Sequence, residues 1–359
     1  MSARRRADLD ESDVRVRPNP RGTRPRSKDR PRHDGATPAW VVAVDRGRYT
    51  CLVAEGEPGE RLLTAMKARE LGRAGVLVGD RVALVGEVSG DPGTLARIVR
   101  VEPRSSMLRR SADDTDQVER GLVANADQLA VVTALADPEP RPRMVDRCLV
   151  AAYDAGLLPL LVLTKADLRE PDDFLASYAP LDVPFVVTRR AEEGWAGLDD
   201  VRRALAGRVT VLIGHSGVGK STLVNALVPG AERATGVVND VTGRGRHTST
   251  SAVALRLPGG GWVVDTPGVR SFGLAHVDPN RILGAFPDLA AGIEECPRGC
   301  THDEPECGLD EFVARGGAGP AGAARLASLR RLMRSRAGSD TPGDAASSEA
   351  AHQLGDTSS

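Results

Sequence analysis

The sequence predicts an α/β protein in three parts: a small closed β-barrel, an α/β domain with a mainly parallel sheet, and a short helical module. Three observations carry this reading. Five brief β-rich runs crowd into residues 37–103, strand-like and helix-like segments alternate from about 120 to 273, and short helical pieces then surround three cysteines packed into twelve residues.

Length and composition bound the rest. At 359 residues the chain exceeds an ordinary single domain. Apolar residues at 41% and charged residues at 27% fit a globular protein in water, while 3% aromatics make the core aliphatic and argue against aromatic-rich recognition surfaces. No apolar run approaches the roughly 18 residues of a membrane span, and "MSARRRADLDESD" has no apolar stretch behind its arginines, so no membrane association and a cytoplasmic location are expected. The formal net charge of -1 averages a basic N-terminal stretch, "RVRPNPRGTRPRSKDRPRH", against a mildly acidic end. Residues 1–36 hold hardly any large apolar side chain and are expected to be a disordered basic arm, a solvated tail or a nucleic-acid contact; residues 337–359 are expected to be a disordered tail.

In the first folded part, residues 37–103, "AWVVAVD", "YTCLVA", "RLLTAMKA", "DRVALVG" and "ARIVRVE" are separated by Gly, Pro and Asp turns. Five strands with one longer connection suggest an OB-like barrel, a common oligonucleotide platform. Only Trp40 and Tyr49 offer stacking surfaces, so a barrel without an RNA role is the other reading.

In the second part, residues 104–273, "VANADQLAVVTAL" and "LPLLVLTKADL" read as buried parallel strands flanking "RPRMVDRCLVAAYDAG". That helix repeats Met144, Val145, Cys148, Leu149 and Ala152 on one face. Cys148 is most simply core there. "VPFVVT", "VTVLIG" and "GWVVDT" continue the strand series.

Chemistry concentrates in four stretches of this part. "GHSGVGKST", Gly214, His215, Ser216, Gly217, Val218, Gly219, Lys220, Ser221 and Thr222, lies between a strand and a helix. That is the phosphate-binding loop: backbone N–H groups wrap phosphates at a helix N-terminus, Lys220 spans the β- and γ-phosphates, and Ser221 ligates Mg²⁺. "DTPG" places Asp265 at a strand end, where it can hold the Mg²⁺ shell, and Gly268, whose N–H can meet a γ-phosphate; an ATPase or a small-molecule kinase could use the same pair. In "TKADL", Asp167 can accept both the N1–H and the N2 amino hydrogens of guanine, Lys165 can lay its stem on the purine, and Leu168 follows. Thr164 stands where Asn is more usual. Alone, these residues could equally be a strand-to-helix cap. "GRGRHTST" lies between the phosphate loop and "DTPG", where a switch segment belongs, and Thr248 or Thr250 could reach Mg²⁺ when a γ-phosphate is present.

The order of these elements, base-reading loop, phosphate loop, then "DTPG", is a circular permutation of the usual GTP-binding order. Together with "RSSMLRR", "DTPGVRSFGL" and the cysteines behind them, it makes the chain resemble the ribosome small-subunit-dependent GTPase A family, the permuted RsgA-type GTPases, over roughly residues 37 to 335. The resemblance implies a circularly permuted P-loop GTPase domain between an OB-fold barrel and a small α-helical zinc-binding domain, with GTP hydrolysed to GDP during late maturation of the small ribosomal subunit and stimulated by it. Where many GTPases carry a water-orienting Gln this chain has Val269, so hydrolysis should be slow without a group delivered by rearrangement or a partner. His247 is the candidate in the chain, and the resemblance suggests the same role. Thr188 and Arg189 occupy the place where the family shows a small Ser-Ala or Ser pair behind the base.

The third part, residues 274–336, holds Cys296, Cys300, His302 and Cys307, a complete three-thiolate, one-imidazole set for one structural Zn²⁺. A basic helix, "AARLASLRRLMRS", follows. Arg104, Arg109 and Arg110 after the barrel, and Arg325, Arg330, Arg331 and Arg334 on that helix, are candidate phosphate contacts. The expected partner is the small ribosomal subunit and its rRNA, and a monomer is expected. The competing reading is a nucleotide-gated RNA-binding module with negligible catalysis, which Val269 permits.

Overall fold

Residues 33–72, 75–110, 120–192, 194–231, 252–266, 274, 277–304 and 306–337 are described by a computed structural model; most of the N-terminal arm and nearly all of the C-terminal tail lie outside them. The first five apolar runs form β1 (Thr37–Asp45), β2 (Arg48–Val53), β3 (Arg61–Lys67), β4 (Arg81–Gly86) and β5 (Ala96–Val101). β1, β2 and β3 are an antiparallel meander, β3 runs parallel to β5, β5 pairs with β4, and β4 returns to β1. This closes an OB-type barrel around Val41, Cys51, Ala65 and Ile98, all fully buried. The β1–β2 connection sets Arg46 and Gly47 at positive φ, the backbone twist that a two-residue hairpin turn needs.

A short hairpin, β6 (Met107–Arg110) and β7 (Arg120–Ala124), leads out of the barrel. Gly79 sits against it so closely that a Cβ would lie 1.9 Å from the Ala124 carbonyl oxygen. Arg104 is spent here. Its guanidinium holds the wholly buried Asp80 carboxylate through bonds of 2.7 and 2.8 Å, so it locks the barrel exit instead of facing phosphates as expected.

The α/β domain follows as β8 (Gln128–Ala134), α1 (Pro142–Ala155), β9 (Leu158–Thr164), α2 (Asp172–Tyr178), β10 (Phe185–Val187), the two-residue strands β11 (Arg189–Arg190) and β12 (Trp195–Ala196), α3 (Leu198–Leu205), β13 (Val209–Ile213), α4 (Lys220–Leu227), β14 (Val253–Arg256) and β15 (Trp262–Asp265). In space the strands run β10-β9-β8-β13-β15-β14, all parallel except β14. Near-continuous aliphatic strands such as β8, buried at every residue, suit a sheet covered on both faces.

The sheet does not stop at β14. Ala43 of β1 is in register with Val253, so the barrel continues the same ladder. Trp40 of β1 meets Trp262 of β15 edge-on at 4.4 Å between ring centroids, and each indole N–H is satisfied, by the Gly79 carbonyl at 3.0 Å and by Glu55 at 2.8 Å respectively. Trp40 is therefore a joint between modules and not a stacking platform.

Helices Pro279–Leu283, Pro287–Ala290, Gly308–Ala314 and Gly322–Ala337 complete the described chain. The last of them packs on α1, burying Leu329 and Leu332. Its arginines were expected to offer charge to phosphates, but they face acidic partners: Arg325 with Asp288 at 2.7 Å, Arg330 with Asp310 at 2.6 Å, Arg331 with Asp146 at 3.0 Å and Arg334 with Asp303 at 2.9 Å. No helix among the described residues is long and apolar enough to cross a membrane.

Candidate functional site

β13 ends in the loop Gly214–Gly219, which turns directly into α4. Two glycines are dictated by geometry. A Cβ on Gly214 would stand 2.6 Å from the Val132 carbonyl oxygen, and Gly219, at φ +88, caps α4 in the left-handed region. Val218 is fully buried beneath the loop, whereas Ser216, Gly217, Ser221 and Thr222 are exposed. Among the described residues His215 turns its Nδ1 to the Ser216 carbonyl at 2.8 Å and buries Nε2 without a partner; burial pushes the imidazole below its usual range. Leu212 of β13 is in register with Asp265 of β15, which brings the Lys220 ammonium into a hydrogen-bonded ion pair with the Asp265 carboxylate. The two groups expected to hold phosphate and Mg²⁺ thus lie side by side.

β9 runs next to β8 and delivers Thr164 to the same loop. The Thr164 hydroxyl is 1% exposed and donates to the Val218 carbonyl at 2.6 Å, with the Thr133 carbonyl at 3.3 Å. Thr in this position braces the loops: its short side chain ties the two directly. Lys165 takes a left-handed φ of 58, and its ammonium bonds the Asp137 carbonyl. Asp167 accepts the Arg190 backbone N–H at 3.0 Å, and Arg190 in β11 is opposite Trp195 in β12. A cavity of about 580 Å³ is lined by Lys165, Asp167, Leu168 and Trp195 together with Gly219 and Thr222.

The structure thus sets Thr164, Lys165, Asp167 and Leu168 around one cavity with Gly219 and Thr222, with Thr164 bonded to the glycine loop itself. Thr188 is buried; its N–H bonds the Leu163 carbonyl at 2.7 Å and its carbonyl accepts from Ala166 at 3.2 Å, which sets the stretch after β10 beside Lys165–Asp167. Sequence reasoning missed the β11–β12 hairpin, whose signal is a lone Trp between two glycines in "EGWAG". Gly268, Val269, His247, Thr248 and Thr250 lie outside the described residues.

The cysteine cluster is a second site. The ligand atoms of Cys296, Cys300, His302 and Cys307 all lie within 4.8 Å of one another. His302 Nδ1 stands 3.6 Å from Cys296 Sγ and 3.9 Å from Cys307 Sγ, and Arg330 donates to the His302 carbonyl at 2.8 Å, fixing the loop at a left-handed φ of 67. Burial pushes the Cys300 thiol up to about 12, a cost that a divalent cation reverses by displacing the proton. Three soft thiolates and one imidazole at this spacing fit tetrahedral Zn²⁺.

Comparison with known proteins bears on both sites. A family model described as RsgA GTPase matches residues 101–275. A Gemmatimonas aurantiaca protein named small ribosomal subunit biogenesis GTPase RsgA is 37% identical over 271 residues, 74% of this chain and 88% of that one. A Pseudomonas aeruginosa protein of the same name is 40% identical over 246 residues, 66% and 70% of the two chains. Among solved structures, YjeQ from Thermotoga maritima superimposes with a TM-score of 0.58 at 26% identity, covering 85% of this chain and 99% of that one. The circularly permuted GTPase YloQ, at 0.59 and 22%, covers 87% and 99% and supports the fold alone. The strand order fits: β9, which ends at "TKAD", precedes β13, which ends at the glycine loop, in the chain yet lies one strand, β8, away from it in the sheet.

Proposed function

This chain belongs to the RsgA GTPase family, and from that premise we propose that it binds GTP in the cavity between β9 and α4 and hydrolyses it to GDP and phosphate while docked on the small ribosomal subunit, which stimulates the reaction. The observation that carries the proposal is the 2.6 Å bond from Thr164 to the Val218 carbonyl: two loops far apart in sequence are tied around one cavity. Asp167 reads the guanine edge, and the backbone N–H groups of Gly214–Thr222 together with Lys220 hold the phosphates. Ser221 and Asp265 are the residues that would hold Mg²⁺, which neutralises charge developing on the phosphate oxygens. His247 is proposed to orient water, with Thr248 or Thr250 completing the metal shell. Cys296, Cys300, His302 and Cys307 hold one Zn²⁺ that shapes the C-terminal helices without joining the reaction.

RNA contact on the folded part falls to other arginines than Arg104 and those of the last helix. Arg48, Met66 and Arg97 stand in register across β2, β3 and β5, all exposed, and neither arginine is ion-paired among the described residues. This row on the barrel, with the N-terminal arm, is proposed to meet the rRNA backbone of a cytoplasmic partner, the protein acting as a monomer. The test is GTP turnover with and without purified small subunits at two salt concentrations. A large stimulation that fades with salt is expected. Binding without stimulation would favour the nucleotide-gated, non-catalytic module instead.

A further inference from the structure

We infer that Trp195 is the aromatic wall of the base end of this cavity, so that a guanine ring read at its edge by Asp167 packs its face against the indole. The inference rests on the nucleotide reading above and adds a residue to it.

Three observations carry it. First, the carboxylate and the indole are set by one ladder: Arg190 donates its backbone N–H to Asp167 at 3.0 Å, and Trp195 is the cross-strand partner of Arg190. Second, the hairpin that bears them is anchored. Gly197, directly after β12 at φ +84, approaches β10 so closely that a Cβ would lie 2.1 Å from the Val187 carbonyl oxygen, a contact no other residue type can make.

Third, among the described residues the indole is part of no buried cluster. The chain has three tryptophans, and the other two meet at the barrel joint, where Trp40 is buried in the core and Trp262 packs on it. Trp195 belongs to none of the buried clusters; it is half-buried and lines the cavity beside Leu168, itself 57% exposed. A large ring held on a cavity and only half covered by its own protein is the arrangement that accepts another flat ring. The same cavity reaches Gly219 and Thr222, so a ligand anchored there by its phosphates extends its base toward the indole.

The test measures GDP affinity of the full chain by calorimetry, with tryptophan emission recorded in parallel. Trp195→Ala is expected to bind GDP roughly tenfold more weakly, about 1.4 kcal/mol, with Trp195→Phe within about twofold of wild type. The emission of wild type should change on adding GDP and that of Trp195→Phe should not, a signal that stays informative if the alanine variant fails to fold. Unchanged GDP affinity in Trp195→Ala, or an emission change kept in full by Trp195→Phe, overturns the inference. Asp167→Asn, assayed with GDP and xanthosine diphosphate, separates the two layers. Unchanged guanine preference there overturns the base-reading assignment and the stacking with it, whereas lost preference beside unchanged affinity in Trp195→Ala overturns the stacking alone.

Discussion

The barrel meets the α/β core through backbone and ring, with Ala43 in register with Val253 and Trp40 edge-on to Trp262. The C-terminal helix meets the same core through apolar packing with buried charge added to it: beside Leu329 and Leu332, Arg331 lies 3.0 Å from Asp146 of α1, without the angle of a hydrogen bond, and packs over the Tyr178 ring, while Arg147 donates to the Ser335 carbonyl at 2.8 Å. The two joints also lead to different stretches of the chain. β14 emerges from the segment that contains "GRGRHTST", whereas α1 leads into β9, which ends in the base-reading loop. A joint made of main-chain bonds and a ring pair depends on volume; one built around a buried carboxylate beside an arginine depends on the protonation of that carboxylate and therefore on pH.

That contrast can be broken at four points. The largest effect is expected at the barrel joint, where Trp40→Ala should cost about 4 kcal/mol in urea unfolding, with little change between pH 5 and 7.5, because it removes volume and no charge. At the other joint, Arg331→Ala leaves a carboxylate buried and unpaired and should cost about 3 kcal/mol at pH 7.5. That loss should shrink in acid, since a protonated Asp146 needs no partner.

A third, smaller effect is the pH dependence of Asp146 itself. Burial pushes its carboxyl up from 3.8 to about 6, although Arg331 pulls the other way. A raised folded-state value means that proton uptake favours the folded chain: the contribution is complete below about 3.8 and is lost as pH rises through about 6. Asp146→Asn should therefore flatten the stability profile between pH 7.5 and 5 by about 1 kcal/mol, read from urea midpoints. The smallest effect belongs to the rim of the barrel joint, where the exposed Arg256–Glu60 pair at 2.8 Å should contribute no more than about 0.5 kcal/mol, vanishing in high salt.

Much of this was legible in the sequence because it is local. The strand, glycine loop and helix around Lys220 are dictated by residues within one short segment, and the aliphatic runs of β8, β9 and β13 announce a covered sheet. The five barrel runs were likewise readable from their spacing. What sequence could not give is pairing across distance. Arg104 and Arg325 look like surface cations until Asp80 and Asp288 are brought to them, and nothing near Ala43 reveals that its partner is Val253. The β11–β12 hairpin was missed because two-residue strands carry no period, and with it went Trp195 and the backbone N–H that steadies Asp167.

The split allegiance of β1 bears on how the chain is made. Its first half, Thr37–Trp40, is flanked by β4, whereas its second half leaves β4 and waits for β14. During synthesis the first half can be sealed as soon as the barrel emerges, but the second keeps an open flank until the chain has been extended through Val253. Nascent molecules thus carry an unprotected sheet edge for most of translation, the condition under which strands of neighbouring chains join. Arrested nascent chains ending before Val253 should be the ones that need a chaperone.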